Sequence, residues 1–235
     1  SYARDAEENR RQLISNITHE LKTPLAIIHS YAEGLQAGIA ADRQEQYTSV
    51  ILEETERMDT LVLQMLDLSR LEAGKVRLSA DHVHLTDLTK SIADTFTPLL
   101  AEKELTLTYG LTEDLVLIAD ESRLRQVITN LLSNACKYTP TGGNIVINIY
   151  RQNHCGVFSI INTADHLSGE ALSKVWDSFY RADPSRTEPG TGLGLTLVKQ
   201  IIELHQGDCY VKNTQDKRVE PHRQAVEFGF RLPME

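Results

Sequence analysis

The sequence predicts an all-α helical hairpin followed by an α+β two-layer sandwich. Residues 1–75 contain one proline, Pro24, and carry apolar residues at helical spacing on both sides of a break at residues 38–42. After Gly74, strand-like and helical segments alternate, as in a mixed sheet with helices on one face. A chain of 235 residues is long enough for two modest domains. We therefore expect one domain over residues 1–75 and a second over residues 76–235.

The hairpin prediction rests on two apolar stripes that repeat every three or four residues. The stripe of the first helix consists of Leu13, Ile17, Pro24, Ile28, Tyr31 and Leu35. That of the second helix is a coiled-coil seam with one charged interruption, formed by Tyr47, Ile51, Glu54, Met58, Leu61, Met65 and Leu68. A lone hairpin has too little interior to bury both stripes, so we expect two hairpins to pair in a dimeric four-helix bundle. The alternative is that both stripes pack on the rest of the same chain.

The second domain is predicted to form one sheet covered by helices. Asp120 is a helix N-cap residue, and the amphipathic helix that follows it extends to about Tyr138. Before it we expect a helix at 85–103 and strands at 105–109 and 115–118. After it we expect strands at 144–150 and 157–161, a helix at 168–177, a polar segment at 181–192, a helix ending near residues 205–207, and strands at 208–213 and 225–232.

Composition narrows the functional class. The net charge of -9 disfavours binding to nucleic acid or to anionic lipid, because both need a basic surface. Hydrophobic residues at 41% and charged residues at 24% are typical of a soluble globular protein. No apolar run reaches the roughly 20 residues needed to cross a bilayer. The three cysteines include no CxxC pair, which favours a reducing cytoplasm and apolar packing. The chain opens directly in charged helical sequence, which favours an excerpt from a longer protein.

The segment HELKTPL, residues 19–25, places a histidine beside a carboxylate. His19 points away from the apolar stripe, and helical spacing puts Thr23 on the same face. An imidazole attacks phosphorus when one ring nitrogen carries the lone pair while the other is held protonated, and Glu20 is available to orient it that way. Pro24 removes a helical hydrogen bond and predicts a bend beside the histidine. Taken alone, the pattern is more often a solvated helix face.

The helix after Asp120 carries a polar stripe formed by Asn130, Asn134 and Lys137. Asparagine is a mediocre helix former, so two on one stripe indicate a function. Amide oxygens are hard ligands that suit Mg²⁺ in the company of phosphates, and lysine neutralises phosphate charge. Tyr138 is available to stack on a base. A polar solvent face is the alternative interpretation of this stripe.

The segment GTGLGL, residues 190–195, enters a helix after a polar stretch. Glycines at positions 190, 192 and 194 let backbone amides approach a phosphate, and the helix that follows presents its positive end to the anion. The segment lacks the lysine of a P-loop and does not follow a strand at dinucleotide-fold spacing, so the commoner nucleotide folds are disfavoured. A glycine-rich turn alone is weak evidence.

Taken in order, HELKTPL, NLLSNACKYT, WDSFYRAD and GTGLGL resemble the H, N, F and G2 boxes of sensor histidine kinases. The similarity covers nearly the whole chain. It implies a dimerisation and phosphotransfer hairpin followed by an ATP-binding domain of the GHKL type. It also implies autophosphorylation of His19 from ATP, assisted by Glu20, and phosphoryl transfer to an aspartate of a response regulator. The expected location is cytoplasmic, with membrane-spanning and sensor segments that are absent from this chain.

The resemblance also implies roles for individual residues. Asn134 is the implied Mg²⁺ ligand with Asn130 beside it, and Lys137 and Tyr138 contact the nucleotide. Phe179 anchors a lid over residues 180–190. The remaining implied ATP contacts are the lid arginines Arg181 and Arg186 and the G2-box residues Gly190, Thr191, Gly192, Leu193, Gly194 and Leu195. Thr23 is implied to orient water when the enzyme acts as a response-regulator phosphatase.

One box departs from the family pattern. Many relatives carry DxGxG before the F box, where the aspartate accepts a hydrogen bond from the adenine amino group; this chain reads NTADH at residues 162–166. Asn162 can still accept through its amide oxygen but has no charge, and Ala164 and His166 stand where glycines are usual. We expect adenine binding to persist in weakened form. Asp165 is a less favoured substitute acceptor because it is displaced by three residues.

Two other functions are compatible with these motifs. In the first, the chain is an ATP-binding dimer that acts mainly as a phosphatase through Thr23, because the altered adenine box leaves transfer to His19 negligible. In the second, a coiled-coil interaction module carries an inert α/β domain. Nucleotide binding without labelling of His19 would favour the first, and no nucleotide binding would favour the second.

Overall fold

The chain forms two compact units, Ser1–Ser69 and Arg70–Glu235. This computed structural model describes residues 2–38, 42–181, 190–215 and 224–234, with side chains from residue 14 onwards. Within those ranges every helix is too short or too polar to span a bilayer. The predicted domain boundary after residue 75 stays a prediction.

The first unit is a pair of helices, α1 (Tyr2–Gln36) and α2, whose bounds are Gln44–Glu72. The predicted seam of α2 is on the inner side of this pair, because all seven of its positions are buried or half-buried. The α1 stripe is likewise buried or half-buried from Ile17 to Leu35, whereas the side chain of Leu13 lies outside the described residues. Tyr31 meets Tyr47 edge to face at 4.8 Å between ring centroids. The two helices therefore pack through the stripes that their sequences predict.

Pro24 is buried inside α1, and the helix continues without interruption through it to Gln36. The ring removes one backbone donor but does not end the helix. The predicted bend beside His19 stays a prediction.

The hairpin also exposes several large apolar side chains. These are Ile14, Leu25, Leu52, Val62, Leu63 and Leu66, and together we call them the outer leucine face. Glu54, the charged interruption of the seam, keeps only 17% of its side chain exposed; its Oε2 atom lies 3.6 Å from the Arg57 guanidinium. That oxygen accepts no hydrogen bond within the part of the chain that the structure describes.

The second unit contains mixed helices and strands. In chain order they are β1 (Asp81–His84), α3 (Leu85–Thr95), α4 (Thr97–Glu102), β2 (Thr106–Thr112), β3 (Val116–Ala119), α5 (Glu121–Tyr138), β4 (Asn144–Gln152), β5 (Cys155–Thr163), α6 (Gly169–Lys174), α7 (Gly194–Leu204), β6 (Asp208–Thr214) and β7 (Ala225–Pro233). The predicted fold class is confirmed.

The main sheet has five strands in the order β2-β4-β5-β7-β6. β2 runs parallel to β4, and the other neighbours are antiparallel. One face is apolar, and on it Phe158 stacks on Phe230 with centroids 5.1 Å apart. α5 packs against β5, and α7 packs against β6 and β7. The opposite face carries a polar row in which Asn148 Nδ2 donates to Ser159 Oγ at 3.2 Å and the Tyr210 hydroxyl donates to Glu227 at 3.0 Å.

Two details differ from the sequence prediction. The expectation of one sheet is wrong, because β3 pairs antiparallel with β1 in a separate two-stranded sheet. β1 has only four residues, DHVH, and two are histidines, so its alternation is too short to stand out. The helix expected at 85–103 is divided at Phe96 into α3 and α4, with Pro98 at the start of α4, where proline is tolerated.

Asp120 caps α5 as predicted. Its carboxylate accepts from the backbone N–H of Arg123 at 3.1 Å and from that of Ser79 at 2.9 Å. Burial opposes ionisation of this carboxyl group, but the two N–H donors and the nearby positive charge outweigh it, so the pKa of Asp120 lies below its ordinary value. The Asp120 N–H donates to His205 Nε2 at 3.1 Å, which ties the start of α5 to the end of α7. The cap thus fixes the two helices that border the candidate site.

Candidate functional site

The asparagine stripe of α5 lies beside the start of α7. Asn130 and Asn134 are half-buried, while the opposite face of α5 supplies core residues such as Leu131. Asn130 Nδ2 donates to the carbonyl of Gly194 at 3.3 Å, so the two segments are in direct contact. Asn134 makes no side-chain hydrogen bond to any described residue. Its amide is therefore available to a ligand.

The end of α5 is held by a cation that the sequence motifs do not include. Lys103 Nζ donates to the carbonyl of Cys136 at 2.8 Å and to that of Lys137 at 3.1 Å. These carbonyls are among the last four of the helix, which lack partners inside it and carry its negative end. Lys137 Nζ itself lies 5.0 Å from the centre of the Tyr138 ring. Lys103 thus fixes the backbone that carries the two predicted nucleotide contacts.

Two cationic side chains meet at Gly190. The Arg181 guanidinium donates to the Gly190 carbonyl. A Cβ atom added to Gly190 would collide with the Lys137 ammonium group, so that group lies directly against the glycine. Lysine and arginine together beside a glycine backbone are suited to a polyanion such as a triphosphate.

Phe179 and Gly192 join the two ends of the predicted lid. The N–H of Phe179 donates to the Gly192 carbonyl at 2.9 Å, and a Cβ on Gly192 would lie 2.7 Å from Phe179 Cα. Gly192 has φ +69°, and Phe179 has φ +64°, which is uncommon for a side chain that bulky. Only glycine tolerates both the positive φ and the close approach of the Phe179 backbone at position 192.

The start of α7 presents backbone N–H groups of a helix N-terminus. Thr191 Oγ1 accepts from the Leu193 N–H at 3.3 Å. The side chain of Leu193 is fully buried, so only its backbone can meet a ligand, whereas Leu195 is half-buried. Thr196 Oγ1 donates to the Trp176 carbonyl at 3.1 Å and fastens the segment before Phe179 to α7. An anion is favoured at this helix end.

Asn162 lies at the end of β5 with 3% of its surface exposed. Its Nδ2 donates to the Thr163 carbonyl at 3.3 Å, and its Oδ1 has no partner among the described residues. The oxygen is therefore the free end of the amide. Ala164 and His166 follow it, and neither adopts the positive φ that would require glycine. The departure from DxGxG is thus accommodated by ordinary backbone.

His19, Glu20 and Thr23 lie on α1, in the other unit. His19 and Thr23 are exposed, as their position off the apolar stripe predicts, and Glu20 is half-buried. The hydroxyl of the neighbouring Thr18 donates to the Ile14 carbonyl at 2.9 Å, so it is bonded to the backbone of its own helix. Arg186, the second predicted lid arginine, lies outside the described residues.

Cys136 is unsuited to chemistry at this site. Burial raises the pKa of its thiol to about 11, against a smaller opposing effect of Lys103. At neutral pH the group is therefore a protonated, poorly reactive thiol. Within the described ranges no three His, Cys, Asp or Glu side chains are grouped to hold a metal ion.

Two family models match the chain. Residues 9–74 match the His Kinase A (phospho-acceptor) domain, and residues 119–235 match the Histidine kinase-, DNA gyrase B-, and HSP90-like ATPase. The chain belongs to the sensor histidine kinase family. The first match contains His19, and the second contains the asparagine stripe and the glycine-rich start of α7.

Several known histidine kinases are similar to this chain. It is 30% identical to the sensor histidine kinase YclK of Bacillus subtilis (strain 168) over 234 residues, which is 97% of this chain and 47% of YclK. The structure of histidine kinase ThkA in complex with the response regulator protein TrrA matches it at 22% identity with a TM-score of 0.74, covering 100% of this chain and 66% of ThkA. Full-length ShkA in complex with AMPPNP matches at 24% identity with a TM-score of 0.68, covering 95% of this chain and 45% of ShkA. The chain spans less than half the length of the curated relatives it matches.

Proposed function

We propose that this chain binds ATP, phosphorylates its own His19, and passes the phosphoryl group to an aspartate of a response regulator. The observation that carries the proposal is the convergence of Lys137, Arg181 and the start of α7 on Gly190, with the available amide of Asn134 one turn before Lys137 on α5. That arrangement suits a nucleoside triphosphate. Transfer of its γ-phosphoryl group requires an acceptor side chain. The matched phospho-acceptor domain supplies one in His19.

The pocket would hold ATP through the chain's own groups. Backbone N–H groups at the start of α7 face the phosphates, and Lys137 and Arg181 neutralise their charge. Tyr138 offers a ring to the base or ribose, and the Asn162 oxygen accepts from the adenine amino group. Phe179 and Gly192 hold the two ends of the lid together, and the rest of the G2 box and Arg186 complete the predicted contact set. Binding of AMPPNP by ShkA supports this choice of ligand.

The asparagine stripe fits a magnesium ion. Mg²⁺ prefers hard oxygen ligands, keeps several waters, and binds where phosphates supply further oxygens. The amide of Asn134 is half-buried and has no partner within the part of the chain that the structure describes, so its oxygen would be such a ligand, with Asn130 beside it. A bound Mg²⁺ would neutralise charge that develops on the phosphates.

The chemistry at His19 is a single displacement. A ring nitrogen of His19 forms a bond to the γ-phosphorus while the bond from that phosphorus to the β–γ bridging oxygen breaks, and ADP leaves. Glu20 orients the imidazole and offers a carboxylate for its ring proton. Catalysis then rests on bringing the γ-phosphoryl group in line with the exposed imidazole. Phosphoryl transfer to the regulator's aspartate regenerates neutral His19.

The hairpin, residues 1–75, is the proposed dimerisation and phosphotransfer domain, and residues 76–235 are the proposed catalytic domain. The outer leucine face supports a homodimer, because isolated hairpins rarely leave so many large apolar residues in water. ThkA in complex with TrrA supports a response regulator as the partner. We also propose that the full-length protein is membrane-anchored, with this part in the cytoplasm.

Labelled ATP tests the proposal on the whole chain. Wild type should acquire an acid-labile, base-stable phosphate, and His19→Gln should acquire none while binding ATP with unchanged affinity. Asn134→Asp should suppress labelling without disturbing the dimer. Its control is Ser133→Asp, which introduces the same side chain at an exposed position of α5. Labelling that persists in His19→Gln would contradict the assignment of His19 as the phosphoryl acceptor.

A phosphatase activity toward the regulator is the second candidate. It is favoured by the exposure of Thr23 four residues from His19, where its hydroxyl can orient a water. Thr23→Ala should keep full labelling of His19 and slow dephosphorylation of the regulator at least fivefold. An unchanged dephosphorylation rate would remove Thr23 from the mechanism.

A further inference from the structure

The segment that follows Asn162 is fastened to the ends of two strands. The Ala164 N–H donates to the Gln224 carbonyl at 3.1 Å, and the His166 N–H donates to Gln224 Oε1 at 2.8 Å. Leu167 and Asn213 exchange a pair of hydrogen bonds, each of 2.8 Å, between the Leu167 backbone and the Asn213 amide. Asn213 belongs to β6, and Gln224 immediately precedes β7. Residues 164–167 are therefore tied to the sheet rather than suspended as a free loop.

The side chain of His166 adds the last tie. Its Nε2 lies 3.1 Å from the carbonyl of Thr214, the final residue of β6. A carbonyl only accepts, so Nε2 carries the proton and donates. The ring is half-buried at a position where a glycine would make no such contact. The substitution of histidine for glycine therefore adds a restraint, and its backbone needs no glycine because its φ is not positive.

The fastened segment connects the purine end of the pocket to α6. Asn162 lies two residues before Ala164, and its Oδ1 accepts no hydrogen bond from any residue that the structure describes. Ser168, one residue after Leu167, caps α6 by accepting from the Ala171 N–H at 3.1 Å. Ala164, His166 and Leu167 are thus each held by a hydrogen bond to another element, and Ser168 by the cap of α6.

We propose that His166 is a positioning residue that keeps the purine end of the nucleotide pocket in its binding conformation before ATP arrives. This rests on the proposed ATP-binding function. A glycine-containing segment loses conformational freedom when a ligand orders it, and that loss weakens binding. Here the segment is ordered in advance, which offsets the weaker acceptor at Asn162. His166 does not touch the nucleotide; it acts through residues 164–167.

Nucleotide affinity in the whole chain tests the proposal. Since one hydrogen bond contributes modestly, His166→Leu should raise the Kd for both ATP and ADP about threefold to tenfold. His166→Gln places an amide nitrogen where Nε2 lies, so it can donate to the Thr214 carbonyl and should restore the wild-type Kd. At saturating ATP the autophosphorylation rate should be unchanged in both variants, so the effect falls on KM and not on kcat.

A control separates positioning from general stability. Arg231 pairs with Asp208 at 2.7 Å, on the same two strands but at their other end. Arg231→Leu should lower the melting temperature without moving the Kd for ATP. An unchanged Kd in His166→Leu, or equal weakening by His166→Leu and His166→Gln, would overturn the proposal. Failure of wild type to bind ATP at all would overturn the proposed function instead.

Discussion

The two units of this kinase core bury their apolar residues to very different degrees. In the hairpin, Leu52 and Leu63 are each 58% exposed and Leu66 is 52% exposed, although all three are on a well-formed helix. In the α/β unit, Leu124, Val127 and Ile128 of α5 are each 0% exposed. The α/β unit thus buries its own core, whereas the hairpin exposes apolar side chains that a second copy would cover.

This difference assigns separate tasks to the two units. The α/β unit builds its pocket from its own contacts, such as those between Asn130 and Gly194 and between Phe179 and Gly192. The hairpin carries His19 on an exposed surface and leaves large apolar side chains exposed, which supports the proposed pairing with a second copy. Changes in one unit should therefore leave the principal property of the other intact.

The largest effect is expected from the outer leucine face. Leu63→Asp combined with Leu66→Asp places two carboxylates in the dimer contact proposed from the structure and should weaken pairing by roughly 3 kcal/mol, about a hundredfold in Kd. Gln46→Glu is the control, because it adds charge to an exposed polar position of the same helix. Sedimentation equilibrium measures the outcome, and ATP affinity should not change. A double variant that stays dimeric would place the interface elsewhere.

A smaller effect is expected from Gly192→Ala, which acts on the other unit alone. Left-handed backbone costs an alanine roughly 1–2 kcal/mol, and its Cβ would meet the Phe179 backbone at 2.7 Å. We expect ATP affinity to fall at least tenfold while the dimer persists. Gly142→Ala is the matched control, because Gly142 also has a positive φ, +76°, but no atom within 4 Å of an added Cβ. Calorimetric titration with ATP should separate the two variants; equal losses would mean that backbone strain alone is responsible.

The smallest effect is expected from the α5 cap. Asp120→Ala should lower the unfolding free energy of the α/β unit by about 1 kcal/mol. Because the pKa of Asp120 is depressed in the fold, its contribution is complete above the unfolded-state pKa of about 4 and is lost as pH falls through the lower folded-state pKa. Urea denaturation should therefore give a difference in unfolding free energy between wild type and variant at pH 7 that becomes smaller below pH 4. A difference that does not depend on pH would show that the carboxylate charge does not contribute.

Much of this architecture follows from sequence pattern because the relevant signals are local. The stripes of α1 and α2 and the Asp120 cap each depend on residues within a few turns of one helix, and all three are found in the structure. The strands of the main sheet have clear alternation or continuous apolar runs, so their existence along the chain is predictable as well, whereas their order in the sheet was not predicted. β1 escaped prediction because four residues with two histidines have no distinctive period.

The tertiary ties of the site were beyond sequence reasoning. Lys103 caps α5 from a position 33 residues before Cys136, and no motif connects the two. Asn213 meets Leu167 across 46 residues. A third contact, from His166 to the Thr214 carbonyl, left one signal in the sequence, which is His166 itself at a position where the family favours glycine. Its role required knowing which carbonyl lies opposite.

Glu54 has a consequence for how the two helices of the hairpin align. A seam of apolar residues alone specifies the register of two helices poorly, because leucine packs almost equally well at neighbouring positions. A carboxylate with an unsatisfied oxygen penalises any register that moves it deeper between the helices, whereas the observed one leaves 17% of the Glu54 side chain exposed and its carboxylate 3.6 Å from Arg57. The one charged position of the seam thereby favours a single alignment of α1 on α2 at the expense of some stability.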